Sequence, residues 1–395
     1  MALRNTPSCP VCDSREYIPL LSLEQVPILC NALYASKKEA INAPVHDIEL
    51  CCCRRCTHIN NIRFAPDRIT YRYGYDNSLF YSPRYRSYAA GQAERLISTY
   101  ALQGRKVIDI GCGDGEFLRL LHNAGKCSCT GYDPALGPDA IPVSSQTGLR
   151  LIADTFPENQ LSHADLYVSR HVLEHLDEPV LFLQNIRNAM DKSNSVLFLE
   201  VPNGEHLLKN CSVWDIIYEH YSSFTMQSLL YLLQRTDFSV SRLQPSFGGQ
   251  YLIVDARAAA KTDISSSLHY DNNKAEKLLI AAEKFARNCS EKLEQVKNTV
   301  VKEQQSGRKT VVWGAGSKGV TFLNQMKTST DIDYIVDVNP QKQGKYIPGT
   351  GQQVVAPEFL SSHTPDTILI ANEIYRDEII KNVIKLDISP QFTCI

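Results

Sequence analysis

The chain has 395 residues, with 41 Lys plus Arg against 43 Asp plus Glu, 43% apolar residues and 9% aromatic. That length allows two or three domains with a core in each, and it excludes disordered, collagen-like and low-complexity classes. A formal net charge of −2 removes any global argument for nucleic acid or an anionic membrane as partner. The first residues, from Met1 to Ser8, lack the apolar core of a signal peptide. No run reaches the ~18 apolar residues of a membrane span, so a soluble, cytoplasmic protein is expected.

Seven of the thirteen cysteines fall within the first 56 positions. An odd total without a secretion signal argues against a disulfide framework. Cys9-Pro-Val-Cys12 and Cys53-Arg-Arg-Cys56 are two CxxC pairs, the spacing that lets four thiolates converge on zinc. Cys51 or Cys52 could enter in an alternative register, but Cys53 makes the second CxxC. Four protein ligands leave no open position for water, so Zn2+ held by Cys9, Cys12, Cys53 and Cys56 would be structural.

A Tyr-rich stretch follows, with Tyr71, Tyr73, Tyr75, Tyr81 and Tyr85 among Gly, Asp and Asn, and reads as a loop. From residue 106 apolar strand runs alternate with helical segments: 106–110, 129–133, 166–169 and 196–201 are strands of a parallel, doubly wound sheet. A helix at 225–235 precedes strands 238–243 and 251–255, joined through Gly248-Gly249 as an antiparallel pair closing the sheet. Residues 256–272 read as a linker, and 274–305 as a long amphipathic helix. A second strand-glycine-helix unit starts at Thr310 and continues with strands at 332–337 and 367–371. The expected domains are 1–70, 71–260 and 261–395.

Val107-Ile108-Asp109-Ile110-Gly111-Cys112-Gly113-Asp114-Gly115 is a strand ending in three close glycines before a helix. A ligand can lie against such a backbone at the carboxyl end of the strand, and Asp133, ending the next strand, can bind both hydroxyls of a ribose. This GxGxG stretch looks like the S-adenosylmethionine loop of class I methyltransferases. That resemblance implies a cofactor site formed by Asp109, Gly111, Gly113, Asp114, Gly115, Asp133, Asp154 near adenine, and His171. His171 and His175 are one helical turn apart, but no third metal ligand lies nearby in sequence; the resemblance makes this segment the wall beneath the cofactor.

Over nearly the whole chain the arrangement resembles the sugar C-methyltransferases that act on nucleotide-linked keto-deoxysugars. The matching segments are 50–56, the glycine loop, 171–175, Glu200-Val201-Pro202-Asn203, Glu219-His220 and 343–349. The implied fold is a class I methyltransferase core, Rossmann-like and doubly wound with an antiparallel terminal strand, between a zinc-binding knuckle and a smaller carboxyl-terminal Rossmann-like domain. Methylating a carbon beside a ketone requires removing a proton, and a base near neutrality suits the step. His220 matches the family's base, Glu219 would orient or hydrogen-bond it, and Tyr75 could donate to the enolate oxygen. The chain departs from the family's Tyr-His-Glu-His, with Ile217 in place of Tyr and Tyr218 in place of the first His. O- or N-methylation of another small metabolite, and a non-catalytic zinc-containing scaffold, are the competing functions.

The second unit carries Gly314-Ala315-Gly316-Ser317-Lys318-Gly319, with Asp337 ending the next strand. The pattern alone is a dinucleotide fingerprint. The resemblance instead implies a half that holds the substrate's nucleotide diphosphate through Gly314, Gly316, Ser317, Lys318 and Asp337. NAD binding and a purely structural relic stay open here.

Overall fold

The structure is a computed structural model and describes residues 7–71, 78–137, 148–157, 163–190, 194–259, 268–326 and 332–395. Among these residues the strands form three sheets. β1 (Tyr17–Pro27), β2 (Val45–Cys53) and β3 (Ile59–Asn61) pair antiparallel at the amino terminus. β4 (Lys106–Ile110), β5 (Ser128–Tyr132), β6 (Leu149–Ile152), β7 (Leu166–Arg170) and β8 (Val196–Pro202) are mutually parallel. Every residue of β7 is buried, because a parallel sheet covered by helices on both faces needs apolar runs rather than alternation.

β9 (Ser222–Ser223) leaves this unit and pairs with β3 in the amino-terminal sheet. β10 (Phe238–Ser246) and β11 (Tyr251–Ala258) form the expected antiparallel pair, and β11 pairs with β8. The central sheet therefore runs β10-β11-β8-β7-β4-β5-β6. β12 (Thr310–Trp313), β13 (Tyr334–Val336), β14 (Gln353–Val355), β15 (Thr367–Ile370) and β16 (Gln391–Cys394) make a separate parallel sheet in the order β14-β13-β12-β15-β16. In both parallel sheets the glycine-loop strand sits where strand order reverses, β4 between β5 and β7, β12 between β13 and β15. The reversal opens a crevice at the strand ends.

Boundaries move at the expected linker. β11 continues to Ala258, whose side chain and that of Ala256 are buried, and the following helix starts at Asn272. Small alanines extend the strand because they fit between packed layers. The helix Met226–Arg235 starts where a capping box places it, with Thr225 Oγ1 accepting from Ser228 N–H and Ser228 Oγ accepting from Thr225 N–H.

One apolar cluster joins the units. Ile18 and Leu20 of β1, Phe285 of the helix Asn272–Gln305, Trp214, and Phe322 and Ile347 of the carboxyl-terminal domain share a core, with the Trp214 and Phe322 rings 5.2 Å apart. No helix among the described residues is long and apolar enough to cross a membrane.

Candidate active site

The loop after β4 turns back on β5: Gly111 and Cys112 N–H donate to the Tyr132 carbonyl at 2.8 and 3.1 Å, and Gly113 N–H donates to Asp133 Oδ2 at 2.8 Å. The three glycines are required for different reasons. A Cβ on Gly111 would fall 2.2 Å from Val172 Cγ2, and one on Gly115 2.9 Å from Leu151 Cδ2, whereas one on Gly113 would meet no protein atom. All three have positive φ. Two glycines thus let neighbouring segments close in, and Gly113 presents bare backbone to the cleft. Each oxygen of Asp133 already accepts one backbone N–H, from Gly113 and Ala135, and keeps a second lone pair for a hydroxyl.

Asp109 is 2% exposed, and its Oδ1 has no hydrogen-bond partner among the described residues. Burial, aided by the Asp133 charge and opposed by Arg170, pushes its carboxyl up to about 7. Asp114 accepts from Ser78 Oγ at 3.4 Å, and Asp154 is exposed and bonds the N–H of Thr155. Asp109, Gly111, Gly113, Asp114, Asp133 and His171 line one cleft; Gly115 lies behind it, and Asp154 stands outside its lining, next to Thr155 and Phe156.

Beneath the loop is a buried charge cluster. Arg170 donates to Glu200 Oε1 at 2.7 and 3.2 Å and to Tyr85 Oη at 2.9 Å, and Tyr88 O–H donates to Glu200 Oε2. His171 meets Glu200 Oε1 at 3.0 Å through Nε2 and Glu174 Oε1 at 3.5 Å through Nδ1, on a backbone held at φ 56°. Burial opposes charge on His171, but the two carboxylates outweigh it and push its pKa up to about 9. Burial alone would raise Glu200; Arg170 and His171 hold it at about 2.

His220 opens onto the same cleft, and its ring stands edge-on to His175 with centroids 4.9 Å apart. Donor atoms of Glu174, His175 and His220 fall within 4.8 Å of one another. The third group near His175 that sequence spacing could not supply thus comes from a segment 45 positions further along. His175 Nδ1 lies 2.9 Å from the Glu219 carbonyl and 2.7 Å from Tyr71 Oη. Burial lowers His220 to about 3. The Glu219 carboxylate, expected to hydrogen-bond His220, accepts from Cys30 N–H at 3.1 Å, so it anchors the segment and its carbonyl orients His175 instead. Tyr75 falls outside the described residues. Ile217 faces the cleft, while Tyr218 is fully buried and donates to the Arg63 carbonyl, accepting from Ala65 N–H.

The amino-terminal sheet positions this segment. Asn60 pairs with Ser222 and Ile59 with Ser223, His58 Nε2 lies 3.1 Å from Ser222 Oγ, and Thr57 Oγ1 lies 2.8 Å from Thr225 Oγ1. Those residues follow directly from the second CxxC. The two CxxC turns are built alike: Cys9 N–H donates to Ser14 O and Asp13 N–H to Cys9 O, while Cys53 N–H donates to His58 O and Thr57 N–H to Cys53 O. Asp13 and Thr57 both take positive φ. The four thiols are buried, with Cys9 and Cys56 sulfurs 3.6 Å apart and Cys12 and Cys53 sulfurs 3.5 Å apart. Cys52 packs into the apolar core, and Cys51 sits in β2 opposite Pro19.

The carboxyl-terminal loop opens on the same cleft. A Cβ on Gly316 would meet nothing, whereas Gly319 lies against the Gly314 carbonyl. Asp337 Oδ2 accepts from Ala315 N–H at 2.7 Å, and buried Lys342 donates to the Ala315 carbonyl at 3.0 Å. Lys318 is ion-paired with Asp215, five positions before His220. The cleft holds about 2330 Å³ and is lined by Gly113, Asp133, His171, His175, His220, Gly314, Gly316, Ser317, Lys318, Asp337 and Lys342. Sequence alone assigns no site role to Glu174, His175, Tyr71 or Lys342, although His175 stands in the His171-Val-Leu-Glu-His175 segment, which was the available signal.

Residues 84–243 match the family described as Methyltransferase domain, and residues 247–387 match that described as C-methyltransferase C-terminal domain. Over 398 aligned residues the chain is 26% identical to C-methyltransferase NovU of Streptomyces niveus, covering 96% of this chain and 93% of the relative. Part of the chain also overlays on the 1,6-didemethyltoxoflavin-N1-methyltransferase of Burkholderia thailandensis, at 19% identity and TM-score 0.35, over 44% of this chain and 79% of that one. The glycine loop at the switch point of a β10-β11-β8-β7-β4-β5-β6 sheet, together with the two family domains matched over residues 84–243 and 247–387, makes the chain an S-adenosylmethionine-dependent methyltransferase of the class I fold.

Proposed function

We propose that this enzyme methylates a carbon beside a ketone in a nucleotide-linked sugar. One observation carries the reading: both glycine loops and His220 face a single cleft of about 2330 Å³. A site for one drug-sized ligand needs only about 300–1,000 Å³, so this cleft has room for a donor at Gly113 and a long acceptor reaching Gly316 at once. The C-methyltransferase NovU and the C-methyltransferase C-terminal domain support carbon as the atom methylated.

Asp109, Gly113, Asp114, Asp133 and His171 would hold S-adenosylmethionine; the open backbone at Gly113 and the partnerless Asp109 oxygen fit a cationic nucleoside. Bound there, it supplies an electrophilic methyl group on a sulfonium. Gly316, Ser317, Lys318 and Asp337 would hold the acceptor's diphosphate and ribose at the second loop. His220, kept neutral by burial, takes the proton from the acceptor carbon, and Tyr75 is the proposed donor to the enolate oxygen. Methyl transfer to that carbon would leave the donor as a neutral thioether, and the proton would stay on His220 until product leaves. Incubating nucleoside-diphosphate keto-sugars with labelled S-adenosylmethionine and locating the label by NMR tests this. The methyl should sit on carbon next to the carbonyl; a label on oxygen or nitrogen overturns the reading.

The cysteine cluster fits a structural zinc. Four Zn–S bonds of about 2.3 Å in a tetrahedron put sulfurs about 3.8 Å apart, close to the spacings of 3.5 and 3.6 Å here. Cys9, Cys12, Cys53 and Cys56 would be its four ligands.

A sulfonium arriving in the cleft should draw a proton off Asp109, because a nearby cation favours the carboxylate whose pKa burial has raised to about 7. Binding of S-adenosylmethionine should therefore tighten as pH rises through 7 and release protons to buffer in calorimetry. S-adenosylhomocysteine, without the positive charge, should show less of both. Asp109→Asn should flatten the dependence; an unchanged slope in that variant assigns it elsewhere.

A further inference from the structure

His220 faces a difficulty that its immediate surroundings create. A base takes a proton most effectively when its pKa lies near the working pH, yet burial and the charge of neighbouring His171 both disfavour the imidazolium. The proton removed from the acceptor carbon has to rest there until product leaves, so something in this chain must favour the charged ring.

Glu174 is placed to do so. It is 0% exposed, its carboxylate pairs with His171 Nδ1 at 3.5 Å, and it otherwise meets no hydrogen-bond partner among the described residues. One of its oxygens, a His175 nitrogen and a His220 nitrogen lie within 4.8 Å of one another. The other groups around the pair are already committed. The Glu219 carboxylate is turned to Cys30 N–H. The Glu219 carbonyl can only accept, so His175 Nδ1 carries a hydrogen, and because burial lowers the His175 pKa the ring is neutral, with its lone pair on Nε2. Glu200 is taken up by Arg170, Tyr88 and His171. His171, drawn into its charged form, already faces one side of Glu174 at 3.5 Å, and the carboxylate keeps lone pairs for a second donor, which the transient His220 imidazolium supplies.

We propose that Glu174 is a positioning residue that stabilises protonated His220 during methyl transfer, with His175 held neutral beside them. This inference rests on His220 being the base. The electron pair of the acceptor C–H bond forms the enolate, the proton moves to His220, and Glu174 supplies the counter-charge without itself taking the proton.

Glu174→Gln tests it with a nucleoside-diphosphate-linked keto-deoxyhexose as acceptor. The expected result is a kcat about 10- to 100-fold lower, with KM for both substrates little changed. The acidic limb of the kcat profile should also move to lower pH, since losing the carboxylate lowers the pKa of His220 in the complex. Glu174→Asp should recover part of the rate and the limb. Without any acceptor, NMR titration of labelled histidine in the whole protein should show His171 titrating lower in Glu174→Gln. A wild-type kcat, a limb that stays or moves up, or an unmoved His171 overturns the role of Glu174. If His220→Ala turns over normally, the base assignment itself is lost; if that variant is dead while Glu174→Gln is unaffected, only the Glu174 inference falls.

Discussion

His220→Ala should lose methyl transfer by about 100-fold or more while binding S-adenosylmethionine as tightly as the parent enzyme. The two halves of that result have separate structural origins. The cofactor crevice is built by β4, β5 and the Gly111–Gly115 backbone, whose contacts run to Tyr132, Val172 and Leu151 and none to His220. His220 belongs to a segment fastened at Ser222 and Thr225 to the amino-terminal sheet and at Glu219 to Cys30. Its ring touches His175 and faces the cleft, so truncation removes a proton acceptor without disturbing the glycine loop. Turnover assays paired with calorimetry check both parts. Near-normal turnover would take His220 out of the chemistry, and an acceptor already nucleophilic as bound, such as a hydroxyl or amine, would then explain the activity.

Cys53→Ser should have the second largest effect, although no cysteine of the cluster lines the cleft. Purified protein should fall from about one zinc per chain to nearly none, because a tetrahedral site loses most of its affinity with one thiolate. Hydrogen exchange should then speed up along β1 to β3. The effect should reach the chemistry, since Thr57, His58, Ile59 and Asn60 pass directly from the second CxxC turn to Ser222, Ser223 and Thr225, two to five positions beyond His220. A base misplaced by about 1 Å can cost about 100-fold in rate. The expected pattern is thus a lower kcat with S-adenosylmethionine affinity retained. Metal content measured by mass spectrometry, exchange by the same technique and steady-state kinetics check it. A zinc-free variant with normal kcat would show that the knuckle holds its own fold only.

The sequence alone determined what depends on local pattern. Apolar runs of four to six residues alternating with helices impose a parallel sheet. The Gly111, Gly113 and Gly115 spacing marks its ligand-binding turn, and two CxxC pairs at matching turns announce a four-thiolate cluster. Tertiary structure decided what depends on which distant groups meet. Only the packed chain shows that Gly111 and Gly115 make room for Val172 and Leu151 while a Cβ on Gly113 would meet no protein atom, and that the Glu219 carboxylate turns to Cys30 instead of His220. It alone seats Glu174 between His171 and His220, and brings two glycine loops some 200 positions apart in the chain onto one cavity. The physical reason is the range of the forces concerned. Backbone propensity and hydrophobic periodicity act over a few residues, whereas burial, charge and hydrogen-bond satisfaction are set by neighbours that only the completed fold supplies.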